Sequence, residues 1–464
     1  MTTDPMNRST RSRRFVVGLL AGALAAAGCG GTEPVRGPNL VVISIDSLRA
    51  DRLGCYGAER DTSPAIDRLC ERGVRFSNAV APTSWTLPSH VSLLTGLSVP
   101  SHRVAAPEDR IDPERRLLAQ HLGELGYRTA GFVSAPFLHR SYGFDRGFDR
   151  YENFQGGVAT FPPDPDAHKS SHSDETAPQV VGAARGWLAE QPPGATPWFL
   201  FVHLWDVHYD YVPPAPYDRM FDPDYAGDLD VTNFEHNPAI RDGMDPRDLE
   251  HLEARYDGEI RWLDSQLGPL LEELAARDEP IVLALVADHG EEFFEHGQKG
   301  HFRNLYEESV HVPFILVAPG LAGGTVRDAV VGLDDVAPTL LGLLGLPALG
   351  EATGRDLSAY LRGGPAPPGA KLLTLHQQSA LRGSDWKVIL NHQTGFATYY
   401  DLEADPDEQQ PLAVRTAAPE RLRMLEAAEA AAAAHAERLA WSEATDAELD
   451  PALRERLREL GYVE

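Results

Sequence analysis

The chain has 464 residues, with 42 Lys and Arg against 69 Asp and Glu, a formal net charge of −27 and 42% hydrophobic residues. That length holds one large α/β domain plus a smaller one, and the apolar share is that of a globular protein. A balance this acidic excludes a broad nucleic-acid or anionic-membrane surface, because both partners are polyanions. It leaves room for a local cationic pocket.

Arg11, Arg13 and Arg14 precede an apolar run from Phe15 to Ala27 that ends at Gly28-Cys29. A charged start, a short apolar core and small residues read as a secretion signal over residues 1–29. The run is short for a bilayer span. Ala26-Ala27-Gly28-Cys29 resembles a bacterial lipobox, although Leu is more usual at the Ala26 position. It implies export to the cell envelope or periplasm, with a lipid anchor on Cys29. Ser12-Arg13-Arg14-Phe15 resembles a twin-arginine signal, and an ordinary cleaved signal is the alternative. Residues 30–38, with Gly, Thr and Pro, form a tether. Cys55 and Cys70 then remain, either as a disulfide or as two buried thiols. No CxxC spacing suggests a metal site.

Asn39 to Ile45 is a continuous apolar run of buried-strand type, ending at Asp46. Ser63 and Pro64 start a helix that closes at Gly73, with Ser63 as the cap. Arg115 to Leu125 reads as a helix and Arg128 to Ser134 as a second strand. Residues 150–180, rich in Gly, Pro, Asp and His, read as a loop inserted over the site. Trp198 to Leu204 is a third strand, and 209–248 is a second irregular insertion. Leu249 to Ala276 is an amphipathic helix, Pro280 to Ala287 a fourth strand, Val312 to Val317 a fifth, and Asp334 to Leu344 a helix. Alternating strands and helices predict a mostly parallel central sheet flanked by helices, over residues 39–365. Residues 366–464 read as a smaller α+β subdomain, with short strands from Lys371 to Leu402 and an Ala/Glu-rich helix from Arg421 to Ala440.

One stretch stands out. Thr86-Leu87-Pro88-Ser89-His90 reads as a turn entering a helix, with Pro88 presetting the first turn and Ser89 capping nearby N–H groups. A hydroxyl there faces the free N–H groups and helix dipole that favour a bound anion. In parallel sheets, chemistry collects at the carboxyl ends of strands. Asp46, Asp206 and Asp288 all stand at such ends, and His289 follows Asp288. Asp46, Thr86, Asp288 and His289 together make a four-ligand set for one divalent cation. Such an ion would lower the pKa of the Thr86 hydroxyl and ready it for attack. His208 and His301 are candidates to hold the oxygens of a tetrahedral anion or to protonate a leaving group, with Lys299 assisting if it points inward. His296 and His311 read as surface residues.

Together these motifs resemble the sulfatases of the alkaline-phosphatase superfamily, from Asn39 to about Leu402. The family's metal-binding strand-end acid is matched by Asp46. Its nucleophile motif is matched by Thr86, Pro88, Ser89, His90, Thr95 and Gly96, and its second metal-binding pair by Asp288-His289. Tyr306-Glu307, Val312-Pro313, the segment Leu333 to Thr339, and Tyr400-Asp401-Leu402 match further signatures. The resemblance implies an alkaline-phosphatase-like fold and a metal-dependent hydrolase of small-molecule, glycan or lipid esters.

Three departures shift the expected chemistry. The family oxidises Cys or Ser at the nucleophile position to formylglycine, and Thr86 cannot be converted that way, so none is expected here. Thr86 moves the weight from sulfuric esters toward phosphoryl or phosphonyl transfer, as in superfamily relatives with an unmodified Thr nucleophile. Ser47 and His289 replace hard oxygen ligands, which favours Zn²⁺ or Mn²⁺ over a compatible Ca²⁺. The set is similar to that of phosphonate monoester hydrolases. His90 stands where the family has Arg. A second metal on Asp206, His208 and His301 is a further expectation of low weight. Two other readings stay open: transfer of a phosphoryl-type group to an envelope glycan or lipid, and a non-catalytic binding protein of the same fold.

Overall fold

In the computed structural model the described residues are 37–154, 176–194, 196–442, 446–460 and 462–463. The signal-like segment with Arg13, Arg14 and Cys29, most of the tether, and residues 155–175 of the predicted loop lie outside them. Among the described residues, no helix is long and apolar enough to cross a membrane.

The centre is an eight-stranded sheet in the order Thr325–Arg327, Val74–Phe76, Phe314–Val317, Ile281–Ala287, Asn39–Ile45, Trp198–Leu204, Arg128–Val133 and Arg150–Asn153. Only Phe314–Val317 runs against its neighbours. Asn39–Ile45 lies mid-sheet between two parallel partners, and all seven of its residues are buried. That is why it reads as an unbroken apolar run: both its faces are covered. The long helix Pro246–Ala276 packs against Pro64–Arg72 and Ala177–Ala189. The fold class is the expected one, a mostly parallel sheet flanked by helices with an antiparallel sheet toward the C-terminus.

Several details differ from the sequence reading. Ser63 does not cap its helix; its hydroxyl donates to Asp67 Oδ1. The free N–H groups of Ala65 and Ile66 are taken instead by the Asp264 carboxylate at 2.9 Å each, from the long helix. The helix predicted over Arg115–Leu125 is confined to Leu118–Glu124. Helices Ala177–Ala189 and Pro451–Glu459 were not foreseen. Cys55 and Cys70 are disulfide-bonded, which settles the open choice.

Val35–Glu464 forms one compact unit. Within it the antiparallel sheet, Lys371–Leu375, Gln378–Arg382, Trp386–Asn391, Phe396–Asp401 and Leu412–Ala413, keeps a small core of its own with helix Pro419–Arg438. Lys387 joins this sheet to the rest. Its buried ammonium lies 2.8 Å from Glu307 and 2.9 Å from Glu408, and donates to the Leu305 carbonyl at 3.0 Å.

Candidate active site

Ile45 sits opposite Ala287 in the parallel ladder between the two central strands. The next residue of each strand is an acid, so Asp46 and Asp288 leave the sheet side by side. Ser47 turns the chain in the left-handed region, φ 54°, and its N–H donates to Asp288 Oδ1 at 3.3 Å. Its hydroxyl donates to Asp46 Oδ1 at 3.0 Å, so the residue that replaces a family acid orients both carboxylates. Gly290 is required where the next turn folds in: a Cβ there would lie 2.0 Å from the Glu308 carbonyl.

Helix Thr86–Thr95 is buried throughout and ends at Gly96, φ 71°. Ser89 does not cap this helix. Its hydroxyl donates to the Asp288 carbonyl at 2.5 Å and ties the helix to the strand end. Thr86 Oγ1 then lies 3.4 Å from Asp46 Oδ2 and 3.3 Å from His289 Nε2.

The imidazole state follows from its partners. His289 Nδ1 faces the Gly290 carbonyl at 2.9 Å; a carbonyl only accepts, so the proton is on Nδ1. Nε2 therefore points a lone pair at Asp46 Oδ1, 3.6 Å, and Asp288 Oδ2, 3.5 Å. Asp288 Oδ1 already accepts from the N–H groups of Ser47 and His289, whereas Asp288 Oδ2 has no hydrogen-bond partner among the described residues. Ligand atoms of Asp46, Asp288 and His289 lie within 4.8 Å of one another. Burial raises the Asp46 carboxyl above its ordinary range. Burial, and then the neighbouring Asp46, push Asp288 well above its own. Burial, and then His301, press His289 down to about 3. Two desolvated acids, a neutral imidazole with its lone pair turned inward and one orphaned carboxylate oxygen fit a divalent cation. The three side chains and Thr86 are the residues that would hold it.

His90, expected among the catalytic residues as a replacement that weakens the fixed charge beside Thr86, is part of helix Thr86–Thr95, donates from Nδ1 to the Thr86 carbonyl at 2.9 Å and accepts at Nε2 from Ser44 at 3.0 Å. Burial, and then His203, push its pKa well below the usual value, so it supplies no fixed positive charge. Its contacts tie that helix to the strand beneath it. His203, unremarked in the sequence, is fully buried beside it with Nε2 3.4 Å from Asp46 Oδ2.

A second layer lies past His289. The rings of His289 and His301 are 4.3 Å apart. His301 Nδ1 donates to Glu291 Oε1 at 2.9 Å, and Glu291 Oε2 accepts from the Tyr211 hydroxyl at 2.8 Å. His208 Nδ1 donates to the Tyr209 carbonyl at 2.7 Å, and its ring stands 5.0 Å from that of His301. The structure places His208 beside His301, and His301 beside His289.

Other expectations are corrected. The Lys299 ammonium donates to the carbonyls of Phe234, Asn237 and Ile240, at 2.7, 3.3 and 2.8 Å, and so stitches the 209–248 insertion rather than pointing inward. The Asp206 carboxylate receives the Thr176 hydroxyl and the Ala177 N–H, each at 3.0 Å, and anchors the helix that begins there. It therefore does not join His208 and His301 as a second metal site. His296 and His311 are not free surface residues. His296 pairs with Glu308 at 2.8 Å and stacks on Tyr306, and His311 reaches the Ser77 carbonyl at 2.9 Å.

The sulfatase family model matches residues 38–346. An ulvan-active sulfatase of Formosa agariphila is 24% identical over 82% of this chain and 78% of its own. An arylsulfatase of Clostridium perfringens is 26% identical over 80% of this chain and 89% of its own. The solved phosphonate monoester hydrolase of Agrobacterium radiobacter superposes with a TM-score of 0.67 at 22% identity, covering 89% of this chain and 100% of that one. The chain belongs to the sulfatase family and is a hydrolase of ester bonds.

Proposed function

We propose that this enzyme cleaves phosphoric or phosphonic esters in preference to sulfuric esters, with Thr86 Oγ1 as the attacking atom. The observation that carries the reading is the placement of Thr86 Oγ1 within hydrogen-bond reach of Asp46 and His289, beside the unpartnered Asp288 Oδ2. A formylglycine route is closed, because the Thr β-carbon bears a methyl group and cannot become an aldehyde. The ester's P–O bond breaks as the Thr86 O–P bond forms, and the leaving oxygen takes a proton. Water then cleaves the phosphothreonine, a more tractable step than hydrolysis of an alkyl sulfate. His208 and His301 present unprotonated Nε2 atoms that take the proton Thr86 gives up, pass it to the leaving oxygen and, while carrying it, hydrogen-bond the non-bridging oxygens, and Glu291 with Tyr211 fixes the His301 ring. A divalent cation between Asp46, Asp288 and His289 would lower the hydroxyl pKa, with Zn²⁺ or Mn²⁺ favoured by the imidazole. The chain's expected site of work is the cell envelope or periplasm, on a small-molecule, glycan or lipid ester, anchored through Cys29.

The test is a panel of aryl sulfate, phosphate monoester, phosphate diester and phosphonate substrates, run with Mn²⁺ or Zn²⁺ on the wild type and Thr86→Ala. Turnover of a phosphorus ester that vanishes in the variant is expected. A variant that keeps its rate, or a clear preference for the aryl sulfate, overturns the reading. Adding an acceptor alcohol separates hydrolysis from group transfer.

A further inference from the structure

Thr86, Asp46, Asp288 and His289 are all 0% exposed, so an ester reaches them only by taking another group's place. One side chain already stands where a substrate oxygen would be bound. The Tyr462 hydroxyl lies 2.6 Å from His301 Nε2 and 3.3 Å from His208 Nε2. Both nitrogens are acceptors, because Nδ1 of each ring gives its proton to Glu291 or to the Tyr209 carbonyl. The hydroxyl therefore donates into the pair of imidazoles.

The phenol ring is held as specifically as its oxygen. It meets Phe137 edge-on at 4.8 Å and Phe302 at 5.9 Å. Both of these contact Trp85, the residue before Thr86, at 5.3 and 4.6 Å. The segment that delivers it is built for the purpose: Asp450 caps helix Pro451–Glu459, and Leu453, Leu457 and Leu460 are buried beneath it. The Tyr462 N–H donates to the Leu457 carbonyl at 2.9 Å and turns the ring inward.

We infer that Tyr462 is a residue of the site supplied by the C-terminal segment, whose hydroxyl fills the acceptor nitrogens of His208 and His301 and so determines which esters are admitted. The inference rests on the assignment of those two histidines to the reacting group. An ester that fits must replace the tyrosine O–H···N bond with one that carries its own proton, held on the ester oxygen or left on the imidazole, and must share the aromatic wall. Bulky esters, or esters with no proton to bring, do this poorly, and compact tetrahedral groups that carry one do it well.

The experiment titrates inorganic phosphate into the full-length protein by calorimetry, comparing wild type with Tyr462→Phe. The Phe variant keeps the ring and its packing and removes only the competing hydroxyl. Phosphate affinity is expected to rise roughly three- to tenfold, the worth of one hydrogen bond. KM for a turned-over ester should fall by a similar factor. An affinity that is unchanged or weaker overturns the inference, since a tyrosine that only packs would alter thermal stability and leave anion binding alone. Binding is read without turnover. The same rise in a Thr86→Ala background therefore supports the Tyr462 role even if the proposed nucleophile is wrong.

Discussion

Two groups of buried charge in this molecule pay for desolvation differently. Where the antiparallel sheet meets the parallel one, Glu307, Glu408, Asp334 and Asp335 each have a cation. Lys387 lies between Glu307 and Glu408, and Arg382 reaches Glu307 at 3.1 Å. Nearby, Lys371 bridges Asp334 and Asp335 at 2.8 and 2.7 Å, and Arg355 reaches Asp335 at 2.7 Å. At the strand ends, Asp46 and Asp288 are as deeply buried, yet among the described residues their ion-pair partners are histidines alone. Burial, and then its neighbours, hold two of those histidines, His289 and His90, neutral. Complete pairing marks structure. Incomplete pairing, kept in place by a rigid ladder, marks a seat for something the chain does not itself provide.

The contrast can be broken in order of effect. Thr86→Ala should lower turnover by about 10³-fold or more while leaving the melting temperature nearly unchanged. Lys387→Ala should do the reverse, costing about 3–5 kcal/mol in denaturant unfolding because it strands the buried Glu408 carboxylate and leaves Glu307 with Arg382 alone, with turnover per folded molecule preserved. If Lys387→Ala were neutral for stability, the pairing argument would fail at its stronger end. Asp288→Asn in chelator-treated protein should raise stability by about 1–3 kcal/mol, since it removes a carboxyl whose ionised form burial and Asp46 disfavour, while abolishing activity on restoring Mn²⁺ or Zn²⁺. A loss of stability in the metal-free variant would show that the centre needs no external cation.

The smallest effect lies on the acid side. Burial pushes the Glu307 carboxyl up, but Lys387 and Arg382 outweigh it and hold the pKa below the ordinary carboxylate value. A depressed acid contributes stability that is fully present above its unfolded pKa and is lost as pH falls through the folded one. Unfolding free energies measured downward from pH 5 should therefore fall less steeply in Glu307→Gln than in the wild type.

Much of this was legible in the chain because it is local or repetitive. The strand Asn39–Ile45 is an apolar run bounded by an acid, and Asp288-His289-Gly290 carries its own turn chemistry. Their meeting was inferable from the rule that parallel strands end on one side. What was hidden depends on distant partners. Lys299 looked like a catalytic cation because it sits beside His301, yet three carbonyls of an insertion sixty residues earlier claim it. Ser63 looked like a cap, and Asp264 on another helix took that role. His203 lies inside a strand that reads as buried, but its neighbour Asp46 belongs to another strand and no local pattern pairs the two. Tyr462 gave no signal at all, being one aromatic residue after a short terminal helix.

The ladder between the two central strands has a consequence for how such a protein can change. The separation of Asp46 from Asp288 depends only on Ile45 standing level with Ala287, and the 241 positions of intervening chain do not enter into it. Insertions between them can lengthen, shrink or be exchanged without disturbing the acids, so selectivity for the departing alcohol is free to drift. Adding a single residue within either strand would turn one carboxylate to the opposite face and extinguish the centre.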